Sequence, residues 1–415
     1  MSISEMKMRV GVIGLRRGMS FASSAEVVGM ELVAMCDTQR EKLAEAGEKL
    51  GVSTYTDYDK FLEHEMDAVI LANYFHQHAP LAVKALGAGM HVMSETSACK
   101  TLGEGVALAR AVERSGKIYM FAENYPYFAY NQEMRRLYES GEIGEVQYSE
   151  GEYNHSANSK IWNELAPGLN HWRNHLPPTY YCTHAMGPIM SITNTRPVSV
   201  NAQSIAASEK DLEQAHVRAC DQGSVSICRM SNGSMSRIMG LSLRGNSIWY
   251  RFHGTRGLME NTRAGSTEMV RILHEDWDRG PGDVSEKIYK PDLPVHADLA
   301  EKFGHGGGDF FTGHYFAEAI RKNEQPYQDV YWGLDATVVG IQGWRSCLAN
   351  GASFDIPDFR DESVRKKYEG DDWSPFPEDR APGQPWPSIK GEIRPSPEGI
   401  AAARKVWLEM GYNVD

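Results

Sequence analysis

Little in this sequence points to disulfides, nucleic acid or a membrane. Only six cysteines occur in 415 residues, Cys36, Cys99, Cys182, Cys220, Cys228 and Cys347, and none forms the short paired spacing of a zinc ribbon or a redox motif. Reduced thiols and a cytoplasmic location are expected. Lys and Arg number 43 against 55 Asp and Glu, a net charge of −12, so the concentrated cationic surface that phosphate backbones require is missing and no nucleic-acid partner is expected. No apolar run approaches the roughly 18 residues of a membrane helix. An apparent strand begins within a few residues of Met1, so neither a signal peptide nor a membrane anchor is expected. No internal repeat is visible. The chain is long enough for two domains, each burying its own interior without metal or disulfide staples.

The first third alternates strands with helical stretches. Met8-Arg-Val-Gly-Val-Ile-Gly14 predicts a buried strand ending on glycine, and Glu31 to Cys36 a second that closes on Asp37. Further strands are predicted over 67–72, 91–93 and 118–122, with helices over 79–87 and 101–115. This alternation predicts a parallel, doubly wound Rossmann domain over residues 1–124. Alternating runs over 146–153, 223–230, 234–242 and 248–253 predict an α+β domain over 125–354 with an open, mostly antiparallel sheet. Residues 355–415 form an arm rich in Pro and Trp, followed by a helix over 397–410. Exposed Trp373 and Trp386 would be costly, so the arm is expected to pack on its own domain or on a neighbouring subunit.

After the first strand comes Gly14-Leu-Arg-Arg-Gly18, a modified glycine fingerprint whose tight turn lets backbone N–H groups meet a pyrophosphate at a helix N-terminus. An ordinary strand–helix turn is the alternative, since Arg16 replaces the second glycine and Gly18 comes one place early. Asp37, 23 residues after Gly14, is placed to accept ribose hydroxyls and repel a 2′-phosphate, which favours NAD over NADP. Capping of a helix from Thr38 is the competing role for Asp37, and Arg40 keeps NADP open.

The stretch from His78 through Pro80 and Gly87 to Glu95 resembles the hallmark segment of the Gfo/Idh/MocA oxidoreductase family. The resemblance continues through Gly141 to Val146, Phe252 to Gly257, His305 to Phe311 and Ala319 to Arg321. It implies an NAD-dependent enzyme, a homo-oligomer (dimer or tetramer), acting on a small sugar or glycoside. It implies cofactor contacts from Gly14, Leu15, Arg16, Arg17, Asp37, Asn73, His78, Glu95, Glu123, Asn124, Trp172 and Arg173, and substrate contacts from Arg173 and His305. Dehydrogenases of this family usually carry Glu-Lys-Pro where this chain reads Glu95-Thr96-Ser97, so the usual catalytic lysine is missing.

A narrower resemblance accounts for that loss. The NAD-dependent glycosidases of glycoside hydrolase family 109, α-N-acetylgalactosaminidase-like enzymes, also lack the lysine and use two Tyr/His pairs. Tyr153-Asn-His155 resembles their Tyr-x-His segment, and Tyr181-Cys-Thr-His184 their Tyr-x-x-His segment, although Ala185 stands where a glycine is usual. Residues two apart share a strand face, and residues three apart share a helix face. The resemblance implies hydride removal at a secondary hydroxyl, most plausibly C3, with His184 as base and Tyr153, tuned by His155, as the base for the neighbouring C–H. A redox-neutral glycosidase follows if the cycle completes. A plain sugar or cyclitol dehydrogenase follows if it stops early, and a non-catalytic NAD-binding sensor or scaffold if the chemistry is lost.

Other groupings point less far. His171 and His175 have a helical metal spacing but no third ligand nearby, so no metal is expected. Gly304-His-Gly-Gly-Gly-Asp309 lacks the Lys-Ser/Thr ending of a P-loop and is read as a helix entry, with His305 lining a pocket. His76 and His78 follow the third strand; of the two only His78 matches the family, and a structural role is the alternative for it.

Overall fold

The computed structural model describes residues 7–207, 217–266 and 268–412. Two compact units divide the chain. The first comprises Met1–Glu133, Pro291–Asp335 and Asp358–Asp371, and the second Met134–Lys290, Ala336–Pro357 and Asp372–Asp415. Boundaries expected at 124 and 354 therefore miss two returns of the chain into the first unit. The physical reason is burial: Phe310, Phe311, Phe316 and Ala317 from the Gly308–Lys322 helix complete the core built by Val10, Val12, Phe21, Met30 and Ile70.

In the first unit six parallel strands, β1 (Met8–Ile13), β2 (Met30–Cys36), β3 (Ser53–Tyr55), β4 (Ala68–Leu71), β5 (His91–Ser94) and β6 (Tyr119–Phe121), lie in the order β3-β2-β1-β4-β5-β6. Helices α1 (Gly18–Ser24), α2 (Arg40–Leu50), α3 (Tyr58–Leu62), α4 (His78–Gly87) and α5 (Leu102–Ser115) connect them. Strand β4 is buried at every position, as a strand covered on both faces must be. The order reverses between β1 and β4, which places a ligand crevice over the carboxyl ends of those strands.

The second unit carries a nine-stranded mixed sheet. Its strands are β7 (Val146–Asn154), β8 (Pro197–Ile205), β9 (Gly223–Met230), β10 (Met235–Leu241), β11 (Ser247–Gly254), β12 (Leu258–Asn261), β13 (Val270–Leu273), β14 (Glu286–Tyr289) and β15 (Phe354–Asp355). All neighbours pair antiparallel except β7 and β10, which run parallel with Tyr153 opposite Gly240. The chain enters this unit through α6 (Ala129–Glu139), and it also holds α7 (Ser159–Leu165) and α8 (Thr183–Thr193), a wholly buried helix. The arm lies on its own chain. Phe376 is fully buried, Arg345 sits 4.7 Å over the Trp373 ring, Arg380 sits 3.9 Å over Trp386, and Trp344 donates to the Trp386 carbonyl at 3.0 Å. All six cysteines are free and buried. Among the described residues no helix is long and apolar enough to cross a membrane.

Candidate active site

The first unit brings its expected cofactor residues to one sheet edge. Gly14 has φ +101°, and a Cβ there would stand 2.5 Å from the Ala72 carbonyl oxygen, so only glycine closes this turn. Gly18 opens α1 where a Cβ would press on Val12 at 2.8 Å. The Leu15 N–H donates to Asp37 at 2.9 Å, and Asp37 also accepts the Gln39 N–H at 2.8 Å. Asp37 therefore ties the glycine turn to the end of β2, and helix α2 begins only at Arg40. A carboxylate has four acceptor sites, so two remain for ribose hydroxyls.

Asn73, Glu95, Glu123 and Asn124 follow β4, β5 and β6 at the same edge. The Asn73 Oδ1 is buried and has no hydrogen-bond partner among the described residues, an orphan acceptor of the kind a bound molecule satisfies. Together with the glycine turn it fits a dinucleotide. His78 is buried and spans 2.9 Å to the Ser97 carbonyl and 3.3 Å to the Asn73 carbonyl, and burial lowers its pKa despite those bonds. It thus braces the turns after β4 and β5 as a neutral imidazole. Arg16 is exposed beside the turn.

Arg17 is committed elsewhere in the first unit. Its guanidinium bonds Glu95 at 2.6 Å and both oxygens of Asp309 at 2.6 Å. Asp309, almost fully buried, further accepts from Ser20 at 2.9 Å and Asn124 at 3.0 Å, with His305 Nδ1 at 3.0 Å. Burial opposes its charge, but the His305 and Arg17 hydrogen bonds hold its carboxyl well below the usual range. His305 is thus engaged with Asp309, in the first unit.

Tyr153, His155, Tyr181 and His184 come together in the second unit. Tyr153 ends near the top of β7, with His155 one residue past the strand and their rings stacked at 6.1 Å. The Tyr153 ring lies 5.5 Å from Tyr181 and 4.9 Å from His184, and those two are 5.2 Å apart. Two glycines permit this convergence. A Cβ on Gly151 would overlap the Ala185 carbonyl, and one on Gly240 would crowd the carbonyl oxygens of Pro178 and Tyr181 at 3.1 and 3.4 Å. The turn carrying Tyr181 and the start of α8 therefore rest directly on β10 and β7. Tyr250 on β11 fixes the position further, donating to the His184 carbonyl at 2.6 Å. Gly151, Gly240 and Tyr250 escape sequence reasoning because their work is done across strands.

Beside the four rings is a pocket open to solvent. Tyr153, His155 and Tyr181 line one part, Trp162 and Leu165 of α7 another, and Asp221 and Ser242 a polar part. Arg173 also lines it, with its guanidinium carbon 4.4 Å over Trp172 and 5.5 Å over Tyr181. Trp172 and Arg173, expected at the cofactor, are thus members of the second unit. The buried Arg173 Nε and Asp221 Oδ1 have no hydrogen-bond partner among the described residues, as suits a wall facing a polyhydroxylated ligand. Desolvation, then the Arg173 charge, lowers the pKa of His155, with His184 adding to the effect. His171 and His175 serve the local backbone, His171 accepting the Arg173 N–H at 3.2 Å and His175 reaching the Leu169 carbonyl at 3.0 Å.

The profile of the Gfo/Idh/MocA group, described as an oxidoreductase family with an NAD-binding Rossmann fold, matches residues 8–123. That of the glycosyl hydrolase 109 C-terminal domain matches residues 131–366. The chain is 26% identical over 392 residues to an α-N-acetylgalactosaminidase of Shewanella oneidensis, covering 85% of this chain and 84% of that protein. Identity and coverage are the same for glycosyl hydrolase family 109 protein 1 of Shewanella sp. strain MR-4. In fold it is similar to an oxidoreductase domain protein from Kribbella flavida (TM-score 0.72, 19% identity, 85% of this chain and 100% of that one). It is similar also to levoglucosan dehydrogenase in complex with NADH and levoglucosan (TM-score 0.71, 19% identity, 85% and 100%). With a dinucleotide cradle in the first unit and the glycosyl hydrolase 109 profile matching more than half of the chain, this protein belongs to the Gfo/Idh/MocA oxidoreductases, in the glycoside hydrolase family 109 branch, and is an NAD-dependent enzyme.

Proposed function

We propose that the protein is a redox-neutral glycosidase that oxidises a glycoside at C3, eliminates the aglycone, adds water and restores the hydroxyl. The observation that carries this reading is the cluster of two phenols and two imidazoles beside the Arg173 pocket. NAD⁺, which the Gly14 turn, Asp37 and Asn73 would hold, would supply a reversible hydride acceptor for C3. The His184 imidazole takes the C3 hydroxyl proton as the ketone forms. That ketone acidifies the C2 proton, which Tyr153, acting as its phenolate, removes with the His155 ring against it. The C1–O bond then breaks, its electrons leave with the aglycone, and the proton held by Tyr153 passes to the aglycone oxygen, which restores the phenolate. Water adds its hydroxyl to C1 and a proton to C2, and His184 gives its proton back to the C3 oxygen. Arg173 binds substrate hydroxyls or the acetamido carbonyl, and the relative's α-N-acetylgalactosaminide substrate is the first to try.

The test uses an aryl α-N-acetylgalactosaminide in D₂O without added cofactor. Phenol release with deuterium at C2 and no net cofactor reduction supports the cycle. Stoichiometric cofactor reduction without phenol would make the protein a plain sugar dehydrogenase. His184→Ala is expected to lose about 10²–10⁴-fold in turnover, the usual worth of a general base, and a variant retaining most activity refutes that assignment.

A further inference from the structure

Both family profiles end before the last helix, Pro397–Glu409, yet that helix returns to the substrate pocket's wall. Its Trp407 is fully buried and donates to the Asn163 carbonyl of α7 at 2.9 Å. Ala403, Trp407 and Tyr412 form a small core with Val217, and Leu169, Ile400 and Met410 pack against it. The pocket side of α7 presents Trp162 and Leu165. Seven residues make too short a helix to hold itself in place, so its position is set by what packs behind it.

The Trp162 ring is clamped with unusual completeness for a half-buried side chain. Its Nε1 donates to buried Asn174 at 2.8 Å, and the Arg218 guanidinium lies 3.6 Å over the ring. Arg218 is itself buried and donates to Ser242 at 2.8 Å. A tryptophan whose N–H and one flank are already engaged offers the ligand an immobile apolar surface, and rigid aromatic anchors lose little entropy on binding. Beside it the pocket carries polar groups from Arg173, Asp221 and Ser242, and further apolar lining from Ala157, Leu176 and Pro178. A ring with one apolar C–H face and hydroxyls on its edge matches that division, whereas an open-chain polyol has no such face.

We propose that Trp162 is the specificity-determining platform for a pyranoside ring, and that the Pro397–Glu409 helix holds this platform through α7. The proposal rests on the sugar-site reading above and adds the residue that selects ring substrates.

The test titrates methyl α-N-acetylgalactosaminide and, separately, sorbitol into the full-length NAD-loaded protein by calorimetry. Wild type should bind the glycoside and prefer it over sorbitol. Trp162→Ala should weaken glycoside binding roughly 10- to 100-fold, as loss of a central aromatic anchor does, and should erase the preference. Trp162→Phe, which keeps an aromatic face, should recover most of the affinity. Trp407→Phe, which keeps the bulk but loses the bond to Asn163, should weaken binding roughly fivefold, the worth of one hydrogen bond. Turnover of the aryl glycoside should show the loss in KM, with kcat and retained NAD unchanged. Wild-type binding together with an unaffected Trp162→Ala, or equal binding of sorbitol, overturns this proposal alone. Failure of wild type to bind either probe overturns the sugar-site reading and this proposal with it.

Discussion

Replacing Arg17 with methionine probes the charge balance on which the cofactor edge is built. Wild type has one guanidinium bonded to two carboxylates, Glu95 and Asp309, all at 2.6 Å, with side-chain exposures of 26%, 13% and 2%. Methionine keeps the length and removes the cation, leaving two carboxylates short of a partner in protein interior. Breaking a buried pair in this way costs about 3–5 kcal/mol. At about 2–4 °C per kcal/mol for a body of this size, the melting temperature at pH 7 should fall by about 6–20 °C. The pH dependence identifies the cause. In wild type Asp309 titrates below its ordinary 3.8, so the stability it contributes is complete above that value and is lost only as pH falls through the folded one. Without Arg17, burial is less opposed, with the His305 bond still holding the carboxyl down, so the folded value moves up toward the unfolded one. The variant's Asp309 then contributes less at neutral pH and has less to lose in acid, so the deficit against wild type narrows between pH 7 and pH 3. Asp309→Asn leaves Arg17 paired with Glu95 and should show a smaller deficit at pH 7. Thermal melts of the three proteins at pH 7, and of wild type and the methionine variant at pH 3, with retained NAD measured alongside, decide the matter. A methionine variant that melts with wild type at pH 7, or whose deficit is the same at pH 3, refutes the reasoning.

Two further outcomes are expected in the second unit. Arg173→Met removes the charge that, after desolvation, most depresses His155. The imidazolium is then less opposed, so its NMR titration and the acid limb of kcat/KM should both move to higher pH, and an unmoved His155 titration would contradict the electrostatic account. Gly151→Ala places a methyl against the Ala185 carbonyl, which forces α8 off β7 and carries His184 with it. A misplacement near 1 Å costs about 10²-fold, so kcat should drop by that order with NAD content unchanged, and wild-type turnover would show that α8 is not seated by this contact.

The strands whose burial is written locally were legible. Met8–Ile13 ends where its apolar run ends, and the helix expected over 101–115 is α5, with Thr101 as its cap accepting the Glu104 N–H at 3.1 Å. Strand β3, three residues over Ser53–Tyr55, leaves no alternation to read. Strand β8 begins on a proline, which suppresses a strand reading even at a permitted first position. The discontinuous first unit was illegible for a deeper reason, because Phe310 and Phe311 meet a core built nearly three hundred residues earlier and no local period records the partner. The same distinction holds in the site. Tyr153 and His155 were visible as residues two apart, and Tyr181 and His184 as residues three apart. Trp162 carried no motif, and its place in the pocket depends on Arg218, Asn174 and a C-terminal helix brought in by folding.

The substitution of Thr96 for the usual lysine and the presence of two Tyr/His pairs are chemically complementary. Oxidising a hydroxyl releases one proton, from oxygen, and one base is enough for it. Elimination next to the new ketone releases a second, from carbon, and an acceptor already protonated in the first step cannot take it. A threonine hydroxyl serves neither step near neutral pH, so both protons must go to other groups. The second unit supplies two imidazoles and two phenols with ring centroids 4.9–6.1 Å apart, and Arg173 helps keep one imidazole neutral and able to accept. A dehydrogenase that stopped at the ketone would leave one pair without a proton to move, and the duplication is therefore an argument for the longer cycle.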